Sequence, residues 1–500
     1  MSDVRLSSPQ GKWILLTTVL GSSMALLDST VVNVALPRIG EDLDADLAAL
    51  QWTVNAYMLT LAGLILLGGS LGDRYGRRKI FVVGVVWFAA ASLLCGLAPN
   101  AGVLIAARAL QGVGGALLTP GSLALIQASF HPDDRGRAVG LWSGFGGIGA
   151  AVGPFLGGWL VDGPGWRWVF LLNVPVALLC APIAVRHVPE SGGGTSRSSE
   201  AESGGGQVHS RFDVLGAVLC ALALAFVTYA LIEARQGSLA VVVTAVAGVA
   251  TAVAFVVVEK RRPDPMMPLD IFASKQFTAV NLVTLCVYAA FGGFFFLAAL
   301  QLQVVSGYTA LGAGTALLPT TALMLLFSAR SGALADRIGP RIPLTVGSLL
   351  CAAGMLLMLR VGEDASYVAD VLPALLVLGL GMVGLVAPLT ATVLASVDVG
   401  RAGLASGVNN AAARAAGLIA VAALPLIAGM GEEAYRSPGA FDDAFGRAMT
   451  VCAGLLVLGA GVAFATVRTL PPDCVRPECL HHGSVMAPPL EGQPARKRLV

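Results

Sequence analysis

GGSLGDRYGRRK, residues 68–79, decides the fold. It lies between two long apolar runs, and a reduced copy, SGALADRIGPR, occupies residues 331–341, again between apolar runs. A glycine-punctuated basic hairpin holding one Asp, used twice at the same helix-to-helix junction, marks an internally duplicated chain. Among membrane proteins, such repeats pack around a central binding site, which is the design of a solute transporter.

The composition agrees. Apolar residues make up 56% of the chain and charged residues 12%, against about 25% charged in a soluble domain. So little polar surface cannot cover one large soluble core. Apolar stretches of about 20 residues cross roughly 30 Å of hydrocarbon as helices. They fall at 13–37, 50–70, 80–98, 101–129, 138–161, 168–186, 213–232, 239–258, 277–304, 311–334, 342–360, 371–395, 404–429 and 449–468. The expected fold is therefore all-α and polytopic, with about fourteen spans. Breaker clusters such as APNAG (98–102) and VDGPGWR (161–167) separate them. The first run is too long for a signal peptide and is expected to remain as a span.

The two hairpins set the domain plan. Residues 1–12 read as a cytoplasmic N-terminus and 13–188 as a first six-helix bundle. Residues 189–212, rich in Gly and Ser, read as a flexible linker. An inserted helix pair at 213–258 and a cytoplasmic loop at 259–276 precede a second six-helix bundle at 277–468. The remainder, 469–500, is expected to be a disordered cytoplasmic tail. Leu239 to Val258 is apolar on every face, which suits a lipid-facing position. Placing both termini in the cytoplasm puts most of the 32 Lys and Arg on that side and an acidic set, including Glu41, Asp42, Asp44 and Asp46, on the other.

Other classes find no support. A net charge of +2 says nothing about nucleic acid, but no basic patch interleaved with aromatics appears outside short loops, so no nucleic-acid partner is expected. There is no G-x-x-x-x-G-K-[ST] loop for ATP and no nucleophile–base set for catalysis. Cys95, Cys180, Cys220, Cys286, Cys351 and Cys452 lie in apolar runs and read as small buried hydrophobes. Cys474, Cys479, His481 and His482 cluster in the tail, but a zinc site needs four convergent ligands and no metal is expected.

Inside the spans a few polar residues stand out. Asp28, in LDSTVVNVALP (27–37), would cost several kcal/mol unless paired, hydrated or protonated. Counted back from Pro37 at about 1.5 Å per residue, it lies roughly 13 Å below the outer surface. Arg108, in RALQGVGGA (108–116), lies roughly 10 Å below it by the same arithmetic. The two are expected to interact, directly or through water. Oil penalises the charged carboxylate and a guanidinium favours it, so the group stays able to gain and lose a proton. The alternative is a static structural ion pair. In GAAVGPFLGGW (149–159), Gly149, Gly153 and Gly157 form a smooth face at every fourth position, and Pro154 permits a bend. Gly158 completes the string. Candidate cavity residues are Asn33, Trp52, Asn55, Tyr57, Gln111, Tyr288, Phe291, Gln301, Asn409 and Asn410, aromatics and amides that suit amphiphilic solutes. Arg414 falls near the midplane. It could bind an anionic group, brace the core or sense protonation elsewhere.

These strings carry a resemblance. Gly69, Leu71, Gly72, Asp73, Arg74, Gly76, Arg77 and Arg78 match the G-x-L-[AG]-D-[RK]-x-G-[RK]-[RK] signature of the major facilitator superfamily. RALQGVGGA (108–116) resembles the superfamily's R-x-x-Q-G motif, and 149–159 matches its G-x-x-x-G-P-x-x-G-G pattern, typical of exporters that exchange substrate for protons. Residues 27–37 and WRWVFLLNVP (166–175) resemble its fourteen-helix drug:proton antiporter branch. The resemblance runs from about Trp13 to Arg468. It implies a cytoplasmic latch between the halves at the first hairpin, with Asp336 and Arg337 of the second copy in the matching place. Pro340 stands there where the first copy has an arginine. It also implies proton coupling at Asp28 and an antiporter helix at 149–159. The implied activity is export of small amphiphilic compounds such as drugs or antibiotics. It would run on the proton gradient, without a cofactor, by a monomer in the cytoplasmic membrane. Export of one self-made metabolite is the alternative, and a non-transporting sensor a more remote one.

Overall fold

The computed structural model describes residues 4–191, 213–262, 265–398, 401–431 and 437–467. The expected linker from 192 and the tail from 468, with Cys474, Cys479, His481 and His482, lie outside the described residues. The helices are α1 (Pro9–Leu43), α2 (Leu47–Tyr75), α3 (Arg77–Gly96), α4 (Ala101–Ser129), α5 (Pro132–Asp162), α6 (Arg167–Leu171), α7 (Asn173–His187) and α8 (Val214–Ile232). They continue as α9 (Leu239–Arg261), α10 (Lys275–Leu300), α11 (Ala310–Ala316), α12 (Leu318–Ile338), α13 (Arg341–Leu357), α14 (Leu372–Ala395), α15 (Ala402–Ile427) and α16 (Pro438–Thr466). Thirteen stretches of described helix are long and apolar enough to cross a membrane. The glycine-rich α5, 31 residues long, makes the fourteenth.

Short polar side chains start these helices. Ser8, Asp46, Asn100, Asp213, Ser274 and Thr309 each accept a bond from the amide three residues on, satisfying donors that the first turn leaves free.

Several boundaries differ from the hydropathy reading. α1 runs through Pro37 to Leu43, because one missing N–H deletes a single bond while the flanking turns continue. The sixth span breaks at Leu172 into α6 and α7, and the tenth breaks at Leu317 into α11 and α12. The last begins at Pro438, earlier than its apolar core suggests.

Helices α1–α7 form one bundle and α10–α16 a second. Helix α8 packs on α2 and α15, across the outer seam between the bundles, while α9 packs on α8. In α9 only Gly248 and Glu259 are buried, so its apolar surface faces lipid.

One end of the molecule is basic (Arg74, Arg77, Arg78, Lys79, Lys260, Arg401) and the other acidic (Glu41, Asp42, Asp162, Glu363, Asp364). The halves meet at the acidic end. One continuous core joins Val31–Ile39, Leu104, Leu160 and Phe170 of the first bundle to the whole second bundle. Ile14, Phe81, Leu125 and Phe130, toward the basic end, form a separate core confined to the first half. Polar links follow the same rule. Gln51 Nε2 donates to the carbonyls of Val421 (2.7 Å) and Ala422 (3.2 Å). Gln303 Nε2 donates to that of Val34 (3.0 Å). Asp162 accepts from the amides of Ala310 (3.2 Å) and Leu311 (2.8 Å) at the start of α11. The space between the halves therefore opens toward the basic end.

The duplicated hairpin repeats its backbone. Gly76 has φ 108° and Gly339 φ 81°, values only glycine adopts without strain. In the first copy Asp73 Oδ1 pairs with Arg77 Nη2 at 2.8 Å. Arg78 reaches Glu190 (3.5 Å) and the Val188 carbonyl (3.1 Å) beyond α7. These bonds stay within the first half rather than latching onto the second, because the halves are parted at this end. Arg74 lies over the Tyr75 ring, and the Asp336 side chain lies outside the described residues. A Cβ at Gly76 would sit 2.7 Å from Glu190 Oε1. Gly76→Ala should therefore destabilise the fold by about 1–3 kcal/mol. This is readable as a lower thermal unfolding midpoint of the purified protein. Gly332→Ala, where a Cβ meets nothing within 4 Å, should leave the midpoint unchanged.

Candidate functional site

The first bundle encloses a polar network in an otherwise apolar interior. Asp28 on α1 has a fully covered side chain (0%), and Arg108 on α4 is nearly so (1%). Arg108 Nη1 donates to Asp28 Oδ2 at 2.5 Å, and Gln111 Nε2 donates to Asp28 Oδ1 at 2.7 Å. Arg108 and Gln111, three residues apart, lie on one face of α4, so one helix supplies both donors. The pair is tied further. Arg108 Nη1 donates to Gln111 Oε1 (2.8 Å) and its Nε to the Thr53 carbonyl (3.0 Å). Its guanidinium stacks 4.3 Å from the centre of the Tyr57 ring on α2. Gln111 continues to Ser92 Oγ (3.2 Å), which Asn173 also meets (3.0 Å). Helices α1, α2, α3, α4 and α7 thus converge on one carboxylate.

A carboxylate buried in this setting depends on such donors, since an unpaired ion there is costly. Arg108→Ala should destabilise the protein by about 3–5 kcal/mol. Adding Asp28→Asn to that variant should recover part of the loss. Equal thermal midpoints for wild type and Arg108→Ala would refute the dependence.

The glycines of α5 serve two different contacts. Added Cβ atoms at Gly149, Gly153 and Gly157 would meet Ser23, Thr30 and Val31 of α1, so this face brings α5 against the helix bearing Asp28. Gly158 points the other way, onto the Ala310 and Leu311 backbone of α11, and Gly314 of α11 lies against the Pro154 carbonyl. Gly158 therefore belongs to the seal between halves.

The candidate cavity residues divide. Tyr57 and Gln111 belong to the Asp28 network. Trp52 turns outward, its indole N–H on Glu233 (3.1 Å) and its ring against Tyr229 of α8. It therefore does not line the interior, because α8 covers that face of α2. Gln301 is fully buried within the second half, donating to Asp442 and to the Val361 carbonyl. Phe291 packs against Tyr288 and Phe295 in the core. Asn409 of α15 donates to Thr284 Oγ1 (2.7 Å) and Asn281 Oδ1 (3.2 Å) of α10, and Asn410 is exposed. Asn33 keeps a buried Oδ1, Asn55 both amide atoms and Arg414 its Nε without a described partner. Sequence reading passed over Gln51, Gln303 and Asp162, which join the halves, and Ser92 and Asn173. An amide inside an apolar run was the available signal at Gln51 and Asn173.

Two duplicated helical bundles that meet at one end, the first enclosing a buried acid–arginine pair, define a polytopic membrane transporter. The sequence pattern described as Major Facilitator Superfamily matches residues 18–421, and the chain belongs to that superfamily. It is 37% identical to the puromycin resistance protein of Streptomyces alboniger, across 92% of each chain. It is 36% identical to the multidrug resistance protein Stp of Mycobacterium tuberculosis, across 79% of this chain and 72% of that one. Among solved structures, a bacterial homologue of the human lysosomal transporter Spinster, inward-facing and unoccupied, superposes with TM-score 0.64 at 17% identity. That superposition covers 92% of this chain and 98% of the other, and speaks for the fold alone.

Proposed function

We propose that the protein exports small amphiphilic compounds across the cytoplasmic membrane in exchange for protons, by alternating access. The observation that carries this reading is the buried Asp28 carboxylate, held by Arg108 and Gln111 at mid-depth. Orientation follows the charge asymmetry. The basic end faces the cytoplasm, so the space between the halves is open to the inside and both termini are cytoplasmic.

A proton reaching Asp28 from outside cancels its attraction for Arg108 and removes the charge that ties α1 to α4. Because α1 also lies on the glycine face of α5, that change reaches the helix whose Gly158 and Asp162 close the acidic end. Solute leaves outward in the state that admits the proton, and release of the proton inward restores the pair in the state that loads the next solute. One proton descending about 150 mV yields roughly 3.5 kcal/mol, enough for a few-hundredfold gradient of a neutral solute. A monomer holds all of these parts, and no cofactor is required.

The test uses proteoliposomes with an imposed pH gradient, puromycin and a panel of amphiphilic drugs. Solute-dependent proton movement, abolished by a protonophore, is expected. Proton movement indifferent to every solute would remove the reading. A relative named for resistance to one antibiotic favours a second reading, a dedicated exporter, in which only one solute class moves protons.

A further inference from the structure

We infer that Arg414 is an anion-recognising group between the two halves, so that the solutes this protein prefers carry a carboxylate or a comparably acidic group. The inference rests on the export reading above and specifies the class of its substrate.

The register of α15 places the residue. Toward the basic end, Asn409 bonds Thr284 of α10. Toward the acidic end, a Cβ on Gly417 would lie 3.8 Å from the Tyr288 carbonyl, beside Gly292. Arg414 lies between these contacts, level with Tyr288. On its other side α15 runs against α2, where Gln51 bonds the carbonyls of Val421 and Ala422. Following the two helices in opposite directions from that link brings Tyr57 opposite Arg414. The titratable groups within electrostatic reach of the guanidinium are indeed Tyr57 and Tyr288. It therefore lies at the seam between the halves, on the basic side of the Gln51 links.

Among the described residues no partner neutralises it. Its Nε is shielded from water and unbonded, and no described carboxylate forms an ion pair with it. The helices packed on α15 carry no acid at this depth: α8, α10 and α14 contain none, Asp73 ends α2, and Asp442 and Asp443 lie at the acidic end of α16. Asp28 is already committed to Arg108 and Gln111. Arginine does not escape the cost by losing its proton, and an unpaired charge at mid-membrane depth is tolerated where a water-filled path admits counter-charge. A planar fork of donors flanked by two phenols suits a carboxylate on an aromatic skeleton.

The experiment measures binding to the purified full-length protein in lipid nanodiscs. The probes are 9-anthracenecarboxylic acid, 1-pyrenebutyric acid and 2-phenylquinoline-4-carboxylic acid, each beside its methyl ester. Wild type should bind at least one acid about tenfold or more tightly than its ester. Arg414→Gln should abolish that preference while changing ester affinity less than about twofold, and Arg414→Lys should keep part of it. A wild type that prefers no acid overturns the inference. So does an Arg414→Gln protein that keeps the preference, the result expected if Arg414 serves only to meet Asp28 in the outward-open state. If both variants lose monodisperse behaviour, Arg414 is a strut and the inference falls. Failure of the export reading is distinct, showing as no solute-dependent proton movement in wild-type proteoliposomes whatever the binding preference.

Discussion

In Asp28→Asn, proteoliposomes under an imposed proton gradient should fail to concentrate solute, while solute still equilibrates down its own gradient. The size of the effect follows from energetics. One proton supports roughly a few-hundredfold solute gradient at about 150 mV, and without the titrating group that ratio should fall toward one. The substitution suits the question because it preserves shape. An Asn at 28 keeps one oxygen, enough for either the Arg108 or the Gln111 donor, and Arg108 retains the Thr53 carbonyl, Gln111 Oε1 and the Tyr57 ring. Loss of concentrating power in a protein of normal thermal stability would therefore report the missing proton site. Full gradient-driven accumulation in this variant would move coupling to another carboxylate and leave the Asp28–Arg108 pair as a static brace.

Gly158→Leu should arrest the protein with its acidic end open. In the present state the place of a Gly158 side chain is taken by the backbone of Ala310 and Leu311. Backbone at the start of a helix cannot swing aside as a long side chain can. Overpacking of this kind costs about 1–3 kcal/mol, which shifts a two-state equilibrium by roughly 5–150-fold. The same substitution strains the bonds from the Ala310 and Leu311 amides to Asp162, which cap α11 only while the halves touch. Two readouts are expected to move together. Transport should fall about tenfold or more, and a cysteine introduced by Gln303→Cys should become reactive to a membrane-impermeant maleimide from the acidic side. Gly153→Leu is the contrast. Its neighbours are Thr30 and Leu27 within the same half, so it should lower stability without raising reactivity at 303. Unchanged reactivity at 303 in Gly158→Leu would show that this contact does not govern closure.

The legible features share a physical origin. Span number and the lipid-facing place of α9 follow from hydropathy, because hydrocarbon demands long apolar helices and a helix apolar all round needs no polar neighbour. Asp28 and Arg108 could be matched in depth because a helix rises by a fixed amount per residue. The hairpin glycines were readable because positive φ selects glycine, and Gly76 and Gly339 both adopt it.

Azimuth was not readable. When every face of a helix is apolar, nothing in the residue order says which way Trp52 or Gln301 turns: Trp52 turns outward onto α8 and Gln301 into the core of the second half. Four glycines in one motif look alike as letters, yet three meet α1 and Gly158 meets the opposite half. Composition, rise per residue and the doubled hairpin thus settled the membrane setting, the duplication and the depth of the buried acid, since each depends on local chemistry. Tertiary packing alone decided which end is shut, which donors hold Asp28 and that no described counter-charge stands beside Arg414. These depend on side chains brought together from distant helices, whose rotation about their own axes is set only when the bundles close.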